Sequence, residues 1–324
     1  MSWPGRREGL PTRTVLVPAE QRPRTRWPRL RRAMIVLVAV TVLVPAGAVI
    51  FDAVHGRRTA PVVEQRTPPS PQAPRPPAPR PASAALVIAR QRERAITRLE
   101  GLGIPVFCGA PHGREVALTF DDGPGPHTAR ILAILRSHRA QATFFLVGNR
   151  IRYWPRLPAA EATIGAVGDH TWSHADLGRL SRKTANDEID RARTAIASAA
   201  NTEVRLFRTP YGRNPDWLGH ALAARAMLEI RWSVDSDDYM HGINATAIVR
   251  RVARDLRPGG IVLMHDLHAV TVKALPRLLA LLQARHMRAV TVPELLRTDP
   301  PSYRQLRADN RGRGCVDLAT AGPE

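Results

Sequence analysis

The chain's architecture turns on one stretch, Val116-Ala117-Leu118-Thr119-Phe120-Asp121-Asp122-Gly123-Pro124-Gly125-Pro126-His127-Thr128. Its first five residues are apolar or β-prone, and the Gly-Pro pairs that follow are turn formers, so the spacing predicts a buried strand that stops abruptly. Two adjacent carboxylates at the end of such a strand are costly to bury unless something neutralises them. Neighbouring side chains on a strand point apart, so one carboxylate is free to bind a metal while the other faces a reacting water. A solvated Asp-Asp turn, with Thr128 capping a helix, explains a bare Asp-Asp-Gly equally well. The longer string is far more specific.

Outward from this strand, β-type and helix-type segments alternate, the pattern of an α/β domain. Strands are predicted at 116–120, 142–147, 164–167, 204–207, 227–232, 261–264 and 288–290. Helices are predicted at 128–137, 184–200, 216–225, 245–257 and 272–285. The last of these carries Val272, Leu275, Leu279 and Leu282 at helical spacing. Seven strands within one domain, 114–298, predict a closed or nearly closed parallel barrel of distorted (β/α)7 type. A doubly wound open sheet is the alternative. A lead-in helix and segment occupy 85–113, and 299–324 read as a polar C-terminal tail.

The polar clusters fall just after predicted strands, where parallel barrels place their active face. The third strand leads into Gly168-Asp169-His170-Thr171-Trp172-Ser173-His174. His170 and His174, at i and i+4, share a face if the turn is helical, a spacing that suits two imidazoles on one ion. Alone the pattern is weak; a carboxylate pair two strands earlier strengthens it. Arg208-Thr209-Pro210-Tyr211-Gly212 follows the fourth strand, and reads blandly as a turn beside a surface arginine. Asp235-Ser236-Asp237-Asp238-Tyr239 follows the fifth, and reads blandly as a solvated acidic loop. Ile261-Val262-Leu263-Met264 delivers His265, and a histidine after four apolar residues is commonly structural. All five clusters at successive strand ends are hard to assign to chance.

These five motifs, in this order, resemble the polysaccharide deacetylases of the NodB-homology type, carbohydrate esterase family 4. The resemblance runs from about residue 114 to 297. It implies a distorted barrel, hydrolysis of acetyl groups on glycans, and one divalent metal, zinc first, with cobalt or nickel as alternatives. It implies Asp122, His170 and His174 as metal ligands, Asp121 as general base and Arg208 as its partner. Tyr211 would supply a backbone oxyanion donor. His265 would be the general acid, tuned by Asp238, and Leu263 would help form the acetyl pocket. Two positions depart from the pattern. Tyr239 stands where the family usually has Trp, which alters the groove wall. Asp169 stands where Asn or His is commoner, so its charge either strengthens metal attraction or is solvated. The expected substrate is an acetylated glycan polymer, cell-wall peptidoglycan or chitin-like N-acetylglucosamine. An O-acetyl esterase on acetylated xylan and a non-catalytic glycan-binding homologue are the alternatives.

Composition supports export. Of 324 residues, 48 are Lys or Arg and 28 Asp or Glu, a net charge of +20. Residues 1–84 hold 14 arginines against Glu8, Glu20, Asp52 and Glu64, so a quarter of the chain carries half the excess. An apolar run at 33–54 follows a basic segment, 1–32; about 20 apolar residues cross a bilayer as a helix, and flanking cations stay cytoplasmic. An uncleaved single-pass anchor is favoured over a cleaved signal around Ala46-Gly47-Ala48, which would make the protein secreted. This explains the basic tail without a nucleic-acid partner. Prolines crowd 55–84, an extended spacer. Cys108 and Cys315 are the only cysteines. Outside the cytoplasm disulfides persist, so they are expected to pair. The residues do not specify oligomeric state.

Overall fold

The structure, a computed structural model, describes residues 84–308 and Cys315. The expected tail, anchor and spacer at 1–32, 33–54 and 55–83 lie outside the described residues. Among the described residues, no helix is long and apolar enough to cross a membrane.

Among the described residues, eight strands form one parallel sheet: β1 (Glu115–Gly123), β2 (Thr143–Leu146), β3 (Ala166–Asp169), β4 (Leu206–Phe207), β5 (Leu228–Glu229), β6 (Val234–Asp235), β7 (Ile261–His265) and β8 (Arg288–Val290). They are ordered β5-β4-β3-β2-β1-β7-β6, with β8 beside the start of β1. The strand predicted at 227–232 pairs as a strand only at 228–229, and β6, at 234–235, lies beyond it and was not anticipated. The chain pairs with β4 through β5, runs on through residues 230–233, and pairs with β7 through β6. One extended segment thus changes partners and joins the two ends of the sheet. There is no continuous ladder at this seam; Val106 of the lead-in segment bridges to Ile230 beside it.

Strand alternation sorts the core into two layers. Val116, Leu118 and Phe120 of β1 point outward and pack with Phe144, Val262 and Met264 beneath the helices. Ala117, Phe145, Leu206, Ile230 and Ile261 point inward and fill the barrel. The outer layer is covered by α2 (Thr128–Ser137), α3 (Leu157–Ile164), α4 (Arg182–Ala200), α5 (Leu218–Ala223), α6 (Ala245–Asp255) and α7 (Ala269–Ala284). Caps fix where several start: Ser181 Oγ accepts from the Thr184 amide, and Asn244 from the Ala247 amide. Helix α3 was not anticipated, because Leu157-Pro158-Ala159-Ala160-Glu161 shows little amphipathic period. Pro158 sits at the helix start, where its missing N–H costs nothing.

The N-terminal end of the barrel is plugged. Helix α1 (Ala84–Glu100) inserts Ala95, Ile96 and Leu99 beside Leu295 and Leu296 of α8 (Val292–Thr298) and Leu306 of α9 (Tyr303–Ala308). Arg205 ties α1 down through Glu93, Glu100 and Thr97. The expected polar tail therefore begins with an ordered helix. Cys108 and Cys315 are disulfide-bonded with Cα atoms 6.1 Å apart. Cys108 also bridges Gly260, just before β7, so the bond lies at the end opposite the ends of β1 and β7 that carry Asp121 and His265.

Candidate active site

The site is built at the C-terminal ends of the strands. Asp121 on β1 is in register with His265 on β7, and Thr119 with Leu263 two residues earlier. Parallel register puts both pairs on one face, so the strand period alone carries Asp121 and His265 to the same rim.

Asp122 does not follow that alternation. The β1–β2 register skips it, and its φ is +72°, so it occupies a β-bulge. Bulges re-aim side chains, and this one turns Asp122 into the cleft that Asp121 already faces. Asp121 Oδ2 lies 3.8 Å from His170 Nε2, and Asp122 Oδ1 lies 3.5 Å from the same nitrogen and 3.1 Å from His174 Nε2. The expectation that the two carboxylates point apart is corrected accordingly. The histidines also meet without a helix. Thr171 and His174 have φ of +67° and +61°, and the two rings are 5.0 Å apart at 61°. Left-handed backbone at non-glycine residues is strained, and here it turns both imidazoles toward Asp122.

Asp122, His170 and His174 each offer one ligand atom, and these atoms lie within 4.8 Å of one another. The donor set fits a divalent ion. Asp122 Oδ1 is buried with no hydrogen-bond donor. His170 Nδ1 faces the Arg208 carbonyl at 2.7 Å, so it carries the proton and leaves Nε2 as a lone pair aimed inward. His174 Nδ1 lies 3.2 Å from the Tyr211 hydroxyl. Burial lowers the His170 pKa, with Asp121 and Asp122 opposing, and this favours the neutral, ligating imidazole. Three converging acceptors are mutually repulsive unless a cation sits among them.

Arg208 is fully buried and works as a clamp. Its Nη1 donates to Asp121 Oδ1 at 2.8 Å and to Thr119 Oγ1 at 2.7 Å. Nε donates to the Ile230 carbonyl and Nη2 to the Arg231 carbonyl, each at 3.0 Å. Those carbonyls belong to the seam, where no neighbouring strand's ladder takes them. The arginine therefore seals the barrel and holds the carboxylate at once. Burial lowers its pKa, opposed by the charge and hydrogen bond of Asp121.

His265 is held by a second carboxylate. Asp238 Oδ1 lies 2.7 Å from His265 Nδ1, and Asp238 Oδ2 accepts from the His265 amide at 2.8 Å and from Thr271 Oγ1. Burial disfavours the imidazolium. The Asp238 hydrogen bond and charge, with Asp121 and Asp122 beyond, outweigh burial and push the His265 pKa up to about 9. With Nδ1 engaged, Nε2 is the nitrogen available to the cleft.

The cleft has a volume of about 390 Å³, within the usual range of small-ligand sites, and Leu263, Trp232 and Tyr239 form apolar walls. Tyr239 stacks edge-on against His265 at 5.5 Å, and Tyr211 against His174 at 4.7 Å; both tyrosines remain exposed. Tyr211 has φ +59° and ψ 9°. Every residue singled out for the reaction, from Asp121 to His265, reaches this one cleft or its immediate support.

Asp169 is neither solvated nor part of the Asp122–His170–His174 ligand group. It is fully buried, its Oδ1 accepts from the Thr171 amide at 2.7 Å, and burial pushes its carboxyl well above the usual range. Sequence reasoning missed Thr119, Thr271 and Trp232. Thr119 was legible two residues before Asp121 on the inward face; Thr271, on a helix start, left no such signal.

Comparison with known proteins agrees. The polysaccharide deacetylase family profile matches residues 109–228. A peptidoglycan-N-acetylmuramic acid deacetylase of Bacillus subtilis, PdaC, is 34% identical over 187 residues, which is 57% of this chain and 39% of that protein. This chain thus matches about two-fifths of that relative's length. A chitooligosaccharide deacetylase of a Bradyrhizobium strain is 36% identical over 203 residues, covering 56% of this chain and 90% of that protein. Among solved structures, a carbohydrate esterase family 4 pseudoenzyme from Bacillus anthracis is 30% identical over 59% of this chain and 68% of its own, with a TM-score of 0.56. The barrel alone therefore does not separate catalysts from pseudoenzymes, whereas sequence, fold and motif residues agree on kinship: the chain belongs to the polysaccharide deacetylases of carbohydrate esterase family 4.

Proposed function

We propose that the protein is a metal-dependent hydrolase that removes acetyl groups from N-acetylated cell-wall polysaccharide, peptidoglycan or chitin-like N-acetylglucosamine. The observation that carries the reading is the pairing of two acid–base devices around one ligand triangle. Asp121 is held by Arg208, His265 is held by Asp238, and Asp122, His170 and His174 converge beside them.

In this reading Asp122, His170 and His174 would hold a divalent ion, which would acidify water and polarise the acetyl carbonyl. Zinc suits two imidazoles and a carboxylate. Asp121, held by Arg208, takes the proton of the attacking water. The Tyr211 amide would donate to the oxygen on which negative charge develops; such donors contribute about 2.7–4 kcal/mol. His265, protonated at neutral pH, gives its Nε2 proton to the departing sugar nitrogen. Leu263 lines the pocket for the acetyl methyl, and Tyr239 and Tyr211 offer ring faces to the sugar.

Acetate release from peptidoglycan, chitooligosaccharide and acetylated xylan tests the proposal. Release from an N-acetylated glycan that is lost in the Asp121→Asn variant supports it. Release from xylan alone, or from none of the three, overturns it.

We further propose that residues 33–54 anchor the protein in the cell membrane, N-terminus inside and barrel outside. The arginine excess before the apolar run and the proline-rich stretch after it support this. External protease should release the barrel from wall-permeable cells, and full protection would overturn the topology.

A further inference from the structure

The seam between β5 and β6 carries one more charged residue that the deacetylase reading leaves without a role. Arg231 is largely buried, with its side chain 13% exposed. Its Nη2 donates to the Gly212 carbonyl at 2.5 Å, and its Nη1 lies 3.4 Å from Glu229 Oε1. Glu229 is 3% exposed; burial pushes its carboxyl up to about 7, while Arg231 and Asn214 pull it down. The Arg231 guanidinium also sits 5.2 Å from the Trp232 ring and 5.6 Å from the Phe107 ring. A buried arginine in a fixed aromatic and carboxylate socket, with one nitrogen on a loop carbonyl, behaves as a rigid strut.

The loop it reaches is the one the reaction depends on. Gly212 has φ +63°, and a Cβ there would come within 2.9 Å of the Trp232 ring and 3.2 Å of Arg231 Nη2. The turn is therefore seated against these two side chains with no room to spare. Tyr211, one residue earlier, is left-handed at φ +59°, a conformation that bulky residues keep only when their surroundings impose it. The Arg231 backbone meanwhile serves the base: its carbonyl accepts from Arg208 Nη2, and Arg208 holds Asp121.

We propose that Arg231 is a positioning residue that fixes the Tyr211–Gly212 turn, and with it the Tyr211 amide and ring, relative to Asp121. This rests on the deacetylase reading and adds a residue to it. Through its carbonyl the same residue registers the base, and through its guanidinium the oxyanion donor, so both are indexed to one point of the seam.

The test uses the full chain with Arg231→Met and Arg231→Lys. In Arg231→Met, kcat for acetate release should fall about 10- to 100-fold, the scale of an ångström-sized misplacement. KM and bound metal should stay within twofold of wild type. Arg231→Lys, which keeps a donor and a charge, should recover part of the loss. Independently of turnover, the Tyr211 amide resonance should shift and exchange faster with solvent in Arg231→Met. An unmoved Tyr211 amide overturns the proposal even if the protein proves inactive on every glycan. So does wild-type kcat in Arg231→Met, or a loss matched by lost metal or lost folded fraction. An inactive wild type with a displaced Tyr211 amide in the variant refutes only the deacetylase reading.

Discussion

Replacing Asp238 by Asn tests the acid–base assignment most directly. In the wild type His265 titrates near 9 against an ordinary 6.5. Its side chain is 14% exposed, so solvent screens the effect little. A rise of that size corresponds to about 3 kcal/mol of preference for the imidazolium. Asp238 supplies the largest favourable share, through the Nδ1 hydrogen bond and its charge, while burial pulls the other way. With Asn, the burial remains and the charge is gone, so the pKa falls to 6.5 or below. At pH 7.5 the protonated fraction then drops from nearly all to about one-tenth, and the rate by about tenfold from titration alone. The basic limb of the kcat/KM profile should move down by two units or more, and activity should partly return on acidification. A bound cation would offset the Asp122 charge and lower the limb in wild type and variant alike, so the difference between them remains. Stability carries the same signature. The folded pKa is raised, so the stabilisation is complete below about pH 6.5 and is lost as pH rises through 9. Metal-free wild type should lose stability across that window, and the variant should not. Acetate-release profiles from pH 5 to 10, with denaturant melts at each end, decide the matter. A basic limb that stays in place in Asp238→Asn refutes the reasoning.

Chelation should abolish acetate release and zinc or cobalt should restore it; His170→Ala should bind metal at least 100-fold more weakly, because two ligands seldom retain a catalytic ion, and metal analysis with turnover checks both. Arg208→Lys cannot reach the Ile230 and Arg231 carbonyls, Thr119 and Asp121 together. It should lose about 2–4 kcal/mol from orphaned buried acceptors, a Tm drop on the order of 5–15 °C by calorimetry, along with about 100-fold in kcat/KM. Reducing the Cys108–Cys315 bond, which spans 207 residues, should lower stability by up to about 5 kcal/mol on the chain-entropy account. It should leave kcat/KM at 25 °C unchanged, because β7 separates the bond from His265 by roughly 15 Å; parallel melts and kinetics with and without reductant would show it.

The parts legible in the sequence are those fixed by local period. The apolar strands 116–120 and 261–264 are legible because alternation and flanking Gly-Pro signals are local, although β1 runs on through the Asp-Asp pair to Gly123. Register then followed, since equivalent apolar runs at the barrel's heart leave Asp121 and His265 side by side. The sites of error are where tertiary structure overrides that period. At Asp122 a bulge breaks the alternation and brings together two carboxylates that simple strand geometry separates. At His174 a left-handed turn achieves what a helical i, i+4 pair was expected to do. The strand expected at 227–232 is shorter, at 228–229, and a second one follows at 234–235, because the chain leaves one neighbour for another, and no pattern of residue types announces a change of partner.

The seam explains why the least legible residues matter most. A strand that switches neighbours leaves carbonyls without a ladder, and a buried carbonyl must find a donor. Arg208 and Val106 meet that need, and Arg231 is held by both. Its amide donates to the Val106 carbonyl at 2.7 Å, and its carbonyl accepts from Arg208. In sequence Arg208 reads as a motif residue because its family partners accompany it. Arg231 reads as one more arginine in a chain that has 46 of them, so composition hides it. Only the geometry distinguishes an arginine spread on the surface from one wedged between Trp232, Glu229 and the Gly212 carbonyl. The barrel's imperfect closure thus puts unsatisfied backbone beside the cleft, and the side chains recruited to satisfy it also set the positions of the base and the oxyanion donor.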